Sequence, residues 1–147
     1  MKFKELIIDD IDKIVSIYID AFNAPPWNDN WSKDRVYKRL KPMINNEDSY
    51  GLVCYENNTI LGVILGHYEY YYNTLDFEIK EFFVNTSIQG KGIGKALFNE
   101  FNRRLKENGV GRIFLTTTRA NKTIGFYKGL GFDSKDDLLI MVKNLLT

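Results

Sequence analysis

Residues 78–101 read EIKEFFVNTSIQGKGIGKALFNEF, and this stretch constrains the fold more than any other. It begins as a strand, because Ile79, Phe82, Phe83 and Val84 suit a pleated, buried surface. It ends as a helix: Ile93, Leu97, Phe101 and Leu105 recur at every fourth position, and Ala96 fills the same stripe. Between the two, Gly90, Gly92 and Gly94 put three glycines within five positions. Bare backbone at such a turn can point its N–H groups outward together, and the first turn of a helix leaves its own N–H groups unpaired. With the positive end of the helix dipole added, the turn is an anion site suited to phosphates. A plain strand-to-helix loop is the competing reading of the same residues.

The chain around this stretch alternates helices and strands. Lys2 to Ile8 reads as a strand, and Asp9 or Asp10 caps a helix whose apolar face is Ile11, Ile14, Val15, Tyr18 and Phe22. Pro25 and Pro26 forbid its continuation, so Pro25 to Trp31 is a loop. Ser32 caps a second helix carrying Val36, Leu40, Met43 and Ile44. Ser49 to Glu56 and Thr59 to Tyr70 flank the Asn57-Asn58 turn and form an antiparallel hairpin. Asn73-Thr74 turns the chain into a strand from Leu75 to Val84. Asn108-Gly109 closes the glycine-loop helix. A strand from Arg112 to Thr117, a helix from Thr123 to Leu130 and a last strand from Leu138 to Lys143 complete the order βααβββαβαβ. That order suits one α/β domain over residues 1–147. The Ile79 to Thr117 unit demands a parallel strand pair with a right-handed crossover. It also sets the glycine loop at a strand's carboxyl end, where such sheets bind ligands.

Composition excludes several functions. Twenty basic and 19 acidic residues leave a net charge of +1, which argues for neither nucleic acid nor an anionic membrane as partner. Cys54 is the lone cysteine, so no internal disulfide forms, and its apolar neighbours favour a buried thiol over a nucleophile. His67 is the only histidine; no metal cluster and no histidine-based triad is expected. The start of the chain carries no signal peptide and no run reaches the ~18 apolar residues of a membrane span, so a cytoplasmic protein is expected.

Two phosphate motifs fail on the glycine loop. A P-loop needs Ser or Thr where Ala96 follows Lys95, and Gly where Gln89 stands; the dinucleotide fingerprint needs Gly at Lys95. What fits is [Gln/Arg]-x-x-Gly-x-[Gly/Ala], with Gln89, Gly92 and Gly94. This resembles the coenzyme A pyrophosphate loop of the GNAT family of N-acetyltransferases. A second stretch, Asn121 to Phe132, resembles the family's motif of an Asn before a helix that bears Phe-Tyr and ends before Gly-Phe. One departure stands out: many members have seven residues from Asn to Tyr, whereas Asn121 and Tyr127 are six apart and Ala120 holds the usual Asn position.

The resemblance implies an acyl-CoA N-acyltransferase fold, a mixed sheet of about six or seven strands flanked by about four helices. It implies acetyl-CoA as cofactor, held by Phe82, Phe83, Val84, Gln89, Gly90, Lys91, Gly92, Ile93, Gly94, Lys95, Asn121 and Phe126. The reaction implied is acetyl transfer to a primary amine, with Tyr127 protonating the departing thiolate and a backbone N–H near Phe83–Val84 stabilising the oxyanion. An alkylammonium with a pKa of about 10.4 must first lose a proton. Glu81 and Glu78 are the candidate bases, and a mechanism with no protein base stays open. Strand alternation sends the two to opposite faces unless a bulge intervenes.

Trp27, Asp29 and Trp31 on the Pro-rich loop, with Tyr70 of the tyrosine run, are the candidate acceptor site. The tryptophans equally fit a loop anchor, and the tyrosines fit packing. Similarity of the Pro-Trp loop and the Phe-Phe-Val strand to polyamine and aminoglycoside acetyltransferases points to a small polycationic amine. A protein N-terminal or lysine acetyltransferase and a non-catalytic coenzyme A-binding module are the alternatives. A homodimer is compatible with each.

Overall fold

The computed structural model describes residues 1–88 and 90–146; Gln89, expected in the loop, lies outside the described residues. The chain divides into two compact units, Met1–Thr116 and Thr117–Thr147. The first contains β1 (Lys2–Glu5), α1 (Ile11–Phe22), α2 (Lys33–Asn45), β2 (Ser49–Glu56), β3 (Thr59–Tyr70), β4 (Leu75–Val84), α3 (Ile93–Glu107) and β5 (Arg112–Leu115). The sheet order is β1-β2-β3-β4-β5. Neighbours from β1 to β4 are antiparallel, and β5 runs parallel to β4. Loop length explains this. Asn57 and Asn58 hold φ of 48° and 64° and close the β2–β3 hairpin, whereas β4 and β5 are joined through α3. Buried Asp76 on β4 accepts two hydrogen bonds from Arg112 on β5, at 3.1 and 2.6 Å, and pins that parallel register.

Helices α1 and α2 cover one face of the sheet. Ile14, Val15, Tyr18, Val36 and Leu40 pack with Val53, Val63, Leu65 and Phe83. Each large apolar side chain so buried contributes about 1.5–3 kcal/mol. Helix α3 covers the other face. Gly62 neighbours Val63 and so points the opposite way, and a Cβ built on it would meet Leu97 at 3.1 Å. Ser32 caps α2 as expected, its side chain accepting from the Arg35 amide. Asp10 precedes α1 but does not cap it; its carboxylate turns back to the Ile7 amide and to Lys4, at 3.0 and 2.6 Å.

The β3–β4 ladder shifts between Leu65 and Gly66. Leu65 faces Glu81, Gly66 faces Ile79 and His67 faces Glu78, so Lys80 is the extra residue of a bulge. Leu65 and His67 are two apart on β3 and share a face; their partners Glu81 and Glu78 therefore share it too. The strict alternation that would separate the carboxylates does not hold here.

In the second unit α4 (Asn121–Gly129) begins two residues before the expected Thr123, with Ala120 as its N-cap. Gly131 has φ of 96°, and the Phe132 amide returns to the Tyr127 carbonyl at 3.0 Å. The rings of Phe126 and Phe132 lie 5.2 and 5.6 Å from that of Tyr127. Two expectations are corrected. Five strands form among the described residues rather than six or seven, and Leu138 to Lys143 forms none. Leu138 and Leu139 are 68% and 78% exposed. Apolar composition favours a strand only where a neighbour supplies a ladder, and none is formed here. Among the described residues no helix is long and apolar enough to cross a membrane.

Candidate active site

Glu81 is a buried carboxylate, 4% exposed, on the sheet face that α1 and α2 cover. Its Oε1 accepts from the Tyr18 hydroxyl of α1 at 3.2 Å and from Arg39 Nε of α2. Both donors converge on Oε1. Every fully buried side-chain nitrogen or oxygen among the described residues has a partner, so Oε2, which neither donor meets, reaches solvent. Burial pushes the Glu81 carboxyl above its ordinary range; the Arg39 charge and hydrogen bond pull it back only in part. For Arg39, burial works against the charge, but the Glu81 carboxylate outweighs it and the net shift is upward. Burial first, and Glu81 second, push the Tyr18 phenol up.

Aromatic rings surround this pair. Tyr18 meets Phe22, Trp31 and Phe83 at centroid distances of 4.6, 5.3 and 5.2 Å, and Phe22 meets Trp27 at 5.5 Å. The Arg39 guanidinium sits 5.7 Å above the Trp31 ring. Asn23 brackets the Trp31 backbone, accepting from its N–H at 2.8 Å and donating to its carbonyl at 3.2 Å. Asp29 accepts from the Trp31 indole at 3.0 Å. The tryptophan loop is thus tied to the end of α1, and it lines the Glu81 cluster as well.

The glycine loop leaves β4 at its carboxyl end. Gly90 and Gly92 have φ of 86° and 66°, and a Cβ built on either meets nothing within 4 Å. Gly92 is the N-cap of α3; no side chain caps that helix, and its first turn holds no acid. Lys91 and Lys95 are exposed, and Ile93 is buried. Helix-start amides, the positive dipole end, bare backbone and two exposed lysines fit a diphosphate. β5 ends at Leu115, opposite Ile79, so the β4–β5 ladder covers the first half of β4 and stops short of its carboxyl end.

Other expected residues lie elsewhere. Tyr70 is 84% exposed at the β3–β4 turn, five residues along β3 from Leu65, or about 16 Å from the Glu81 pair. Glu78 shares the face of Glu81 but is engaged by His67 Nε2 at 3.4 Å and Lys80 at 3.8 Å. Asn121, Phe126 and Tyr127 belong to the second unit, with Asn121 as the first residue of α4 rather than its cap.

The model of the acetyltransferase (GNAT) family matches residues 11–132, most of the sequence. The chain belongs to the GNAT family. A curated relative, an uncharacterized N-acetyltransferase from Methanocaldococcus jannaschii, is 29% identical over 146 residues, covering 93% of this chain and 64% of its own length. The chain therefore spans less than two thirds of that relative. Solved structures share the GNAT fold. A possible acetyltransferase from Clostridium difficile 630 superposes with a TM-score of 0.85 at 18% identity, covering 99% of this chain and 98% of its own. An aminoglycoside acetyltransferase from an uncultured soil metagenomic sample, solved with sisomicin, gives 0.75 at 18% identity, covering 99% and 96%.

Two neighbours of Glu81 escape a sequence reading. Tyr18 reads as one more residue of an apolar helix face, and Arg39 as an ordinary helix charge beside Leu40. The available signal was Glu81 itself, since a carboxylate on a buried strand needs a counter-charge from whatever helix covers it.

Proposed function

We propose that the chain is an acetyl-CoA-dependent N-acetyltransferase acting on a primary amine, the acceptor being a small polycationic molecule of polyamine or aminoglycoside type, in the cytoplasm. The observation that carries this reading is the open turn at Gly90 and Gly92, which runs into the uncapped start of α3 at the end of the strand that bears Glu81. Acetyl-CoA, the acetyl donor of the family, supplies an activated thioester when bound. The amides after Gly92 and the exposed Lys91 and Lys95 would hold its diphosphate, and the carboxyl end of β4 at Phe82–Val84 its pantetheine amides. Positioning by these groups supplies much of the rate. Glu81 takes a proton from the acceptor's ammonium through Oε2, and the Trp27–Trp31 loop with Asp29 favours a cation. Tyr127 would donate a proton to the departing sulfur.

Acetyl-CoA at a hundred times its Kd should stabilise the protein by about 2.7 kcal/mol in thermal unfolding. Gly92→Glu should abolish this shift, because it sets a negative side chain in the anion cradle, at about 1–2 kcal/mol of intrinsic cost from the positive φ. No shift at millimolar acetyl-CoA in the parent protein refutes the reading.

A thiol-release screen over polyamines, aminoglycosides and N-terminal peptides then tests the acceptor. Turnover on peptides alone would favour protein acetylation, and binding without turnover a coenzyme A-binding module. In the turnover assay Tyr127→Phe should lower kcat at least tenfold with the KM for acetyl-CoA unchanged. Full activity removes Tyr127 from the mechanism.

A further inference from the structure

We propose that Arg39 is a positioning residue for acceptor deprotonation: it clamps Glu81 Oε1, sets a positive charge beside the carboxylate and leaves Oε2 as the atom that takes the proton. The inference rests on the reading that the chain acetylates a primary amine. Its basis is geometry. A carboxylate this buried has little water to hold its charge, and burial favours its protonated form. The charged groups facing it are few. Arg39 comes from α2; α1 presents the neutral Tyr18; β3 presents Leu65 and, two residues on, His67; on β4 Lys80 stands next in the chain and Glu78 shares the face, engaged by His67 and Lys80. Among the described residues Arg39 is the one cation bonded to the carboxylate.

The guanidinium is itself placed. Its side chain is 39% exposed, its guanidinium carbon sits 5.7 Å from the centre of the Trp31 ring, and the Trp31 indole donates to Asp29. Tyr18 and Arg39 both spend their hydrogen bonds on Oε1, so the carboxylate is held in one orientation while Oε2 keeps its lone pairs. When an acceptor ammonium meets Oε2, its N–H bond breaks, the electron pair stays on nitrogen and an O–H bond forms on Glu81. The positive charge of Arg39 nearby also disfavours a second cation, which helps the nitrogen shed its proton.

The test compares the parent protein with Arg39→Lys and Arg39→Gln, reading kcat/KM for the acceptor against pH with acetyl-CoA saturating. Arg39→Gln removes the charge, so the acid limb should move up by about 1–3 pH units, with activity recovering at high pH and the acetyl-CoA KM unchanged. Arg39→Lys should restore most of the parent limb. Carbon-13 NMR of the Glu81 carboxyl gives the same titration without any acceptor. An equal loss at every pH, or an unmoved Glu81 titration, overturns the proposal and leaves Arg39 as packing. If Arg39→Gln does not fold, the NMR midpoint in Arg39→Lys decides, since a poorer clamp must raise it. No turnover on any amine while the Glu81 titration moves as expected sinks the acetyltransferase reading and leaves Arg39's hold on the carboxylate standing.

Discussion

Gly66→Ala should cost the fold more than about 4 kcal/mol, a large part of the roughly 5–15 kcal/mol that holds a domain folded. A Cβ at that position would lie 1.9 Å from the Glu78 carbonyl oxygen and 2.7 Å from Cε1 of Phe77. Neither neighbour can retreat. The Glu78 carbonyl is backbone of the central β3–β4 ladder, and the Phe77 ring is held edge-on by Tyr68 and Phe101 at 5.1 and 5.2 Å. The close approach sits beside the bulge at Lys80, so relief by sliding β4 would undo the register that turns Glu81 toward Tyr18 and Arg39. Urea unfolding followed by circular dichroism measures the loss. Gly125→Ala, inside α4 with nothing within 4 Å of the added carbon, is the control and should gain about 0.5–1 kcal/mol. A Gly66→Ala protein within about 1 kcal/mol of the parent would mean that β3 and β4 are not pressed together there.

Glu81→Gln should lower kcat/KM for the amine by about 10²–10⁴ while the acetyl-CoA affinity holds. The amide keeps the shape and can still accept from Tyr18 and Arg39, but it cannot take the acceptor's proton. The pH dependence adds a second signature. Burial holds the Glu81 carboxyl protonated to a higher pH than an ordinary glutamate, so activity climbs as pH rises through that folded-state value and falls as pH drops below it. The Gln variant should lose this limb. Stability responds with the same group. A folded-state pKa above the unfolded one contributes stability that is fully present below the unfolded pKa and is lost as pH rises through the folded one. The parent protein should lose that increment across this window, and Glu81→Gln should not. Equal activity of the two proteins would remove Glu81 as the base.

Much of the framework was legible because local rules governed it. The bounds of β2, β3 and β4 follow from apolar runs broken at Asn57-Asn58 and Asn73-Thr74, and Asn57 and Asn58 adopt the left-handed backbone that such turns require. Ser32 caps α2 as its position suggests, and the glycine run does turn a strand into an uncapped helix. Other features depended on partners distant in sequence. The extra residue at Lys80 is set by how β4 meets β3, and no alternation pattern announces it. Tyr70 belongs to an aromatic run but is carried to the far turn by the length of β3. The apolar 138–143 run has the composition of a strand without a ladder to join.

The chain's order of residues alone determined a strand, a bare turn and a helix at 78–107, because these depend on contacts a few residues apart. Only the tertiary structure decided what Glu81 is. Tyr18 stands 63 positions from it and Arg39 stands 42, and a buried carboxylate takes its charge state and its free oxygen from whichever groups folding brings beside it.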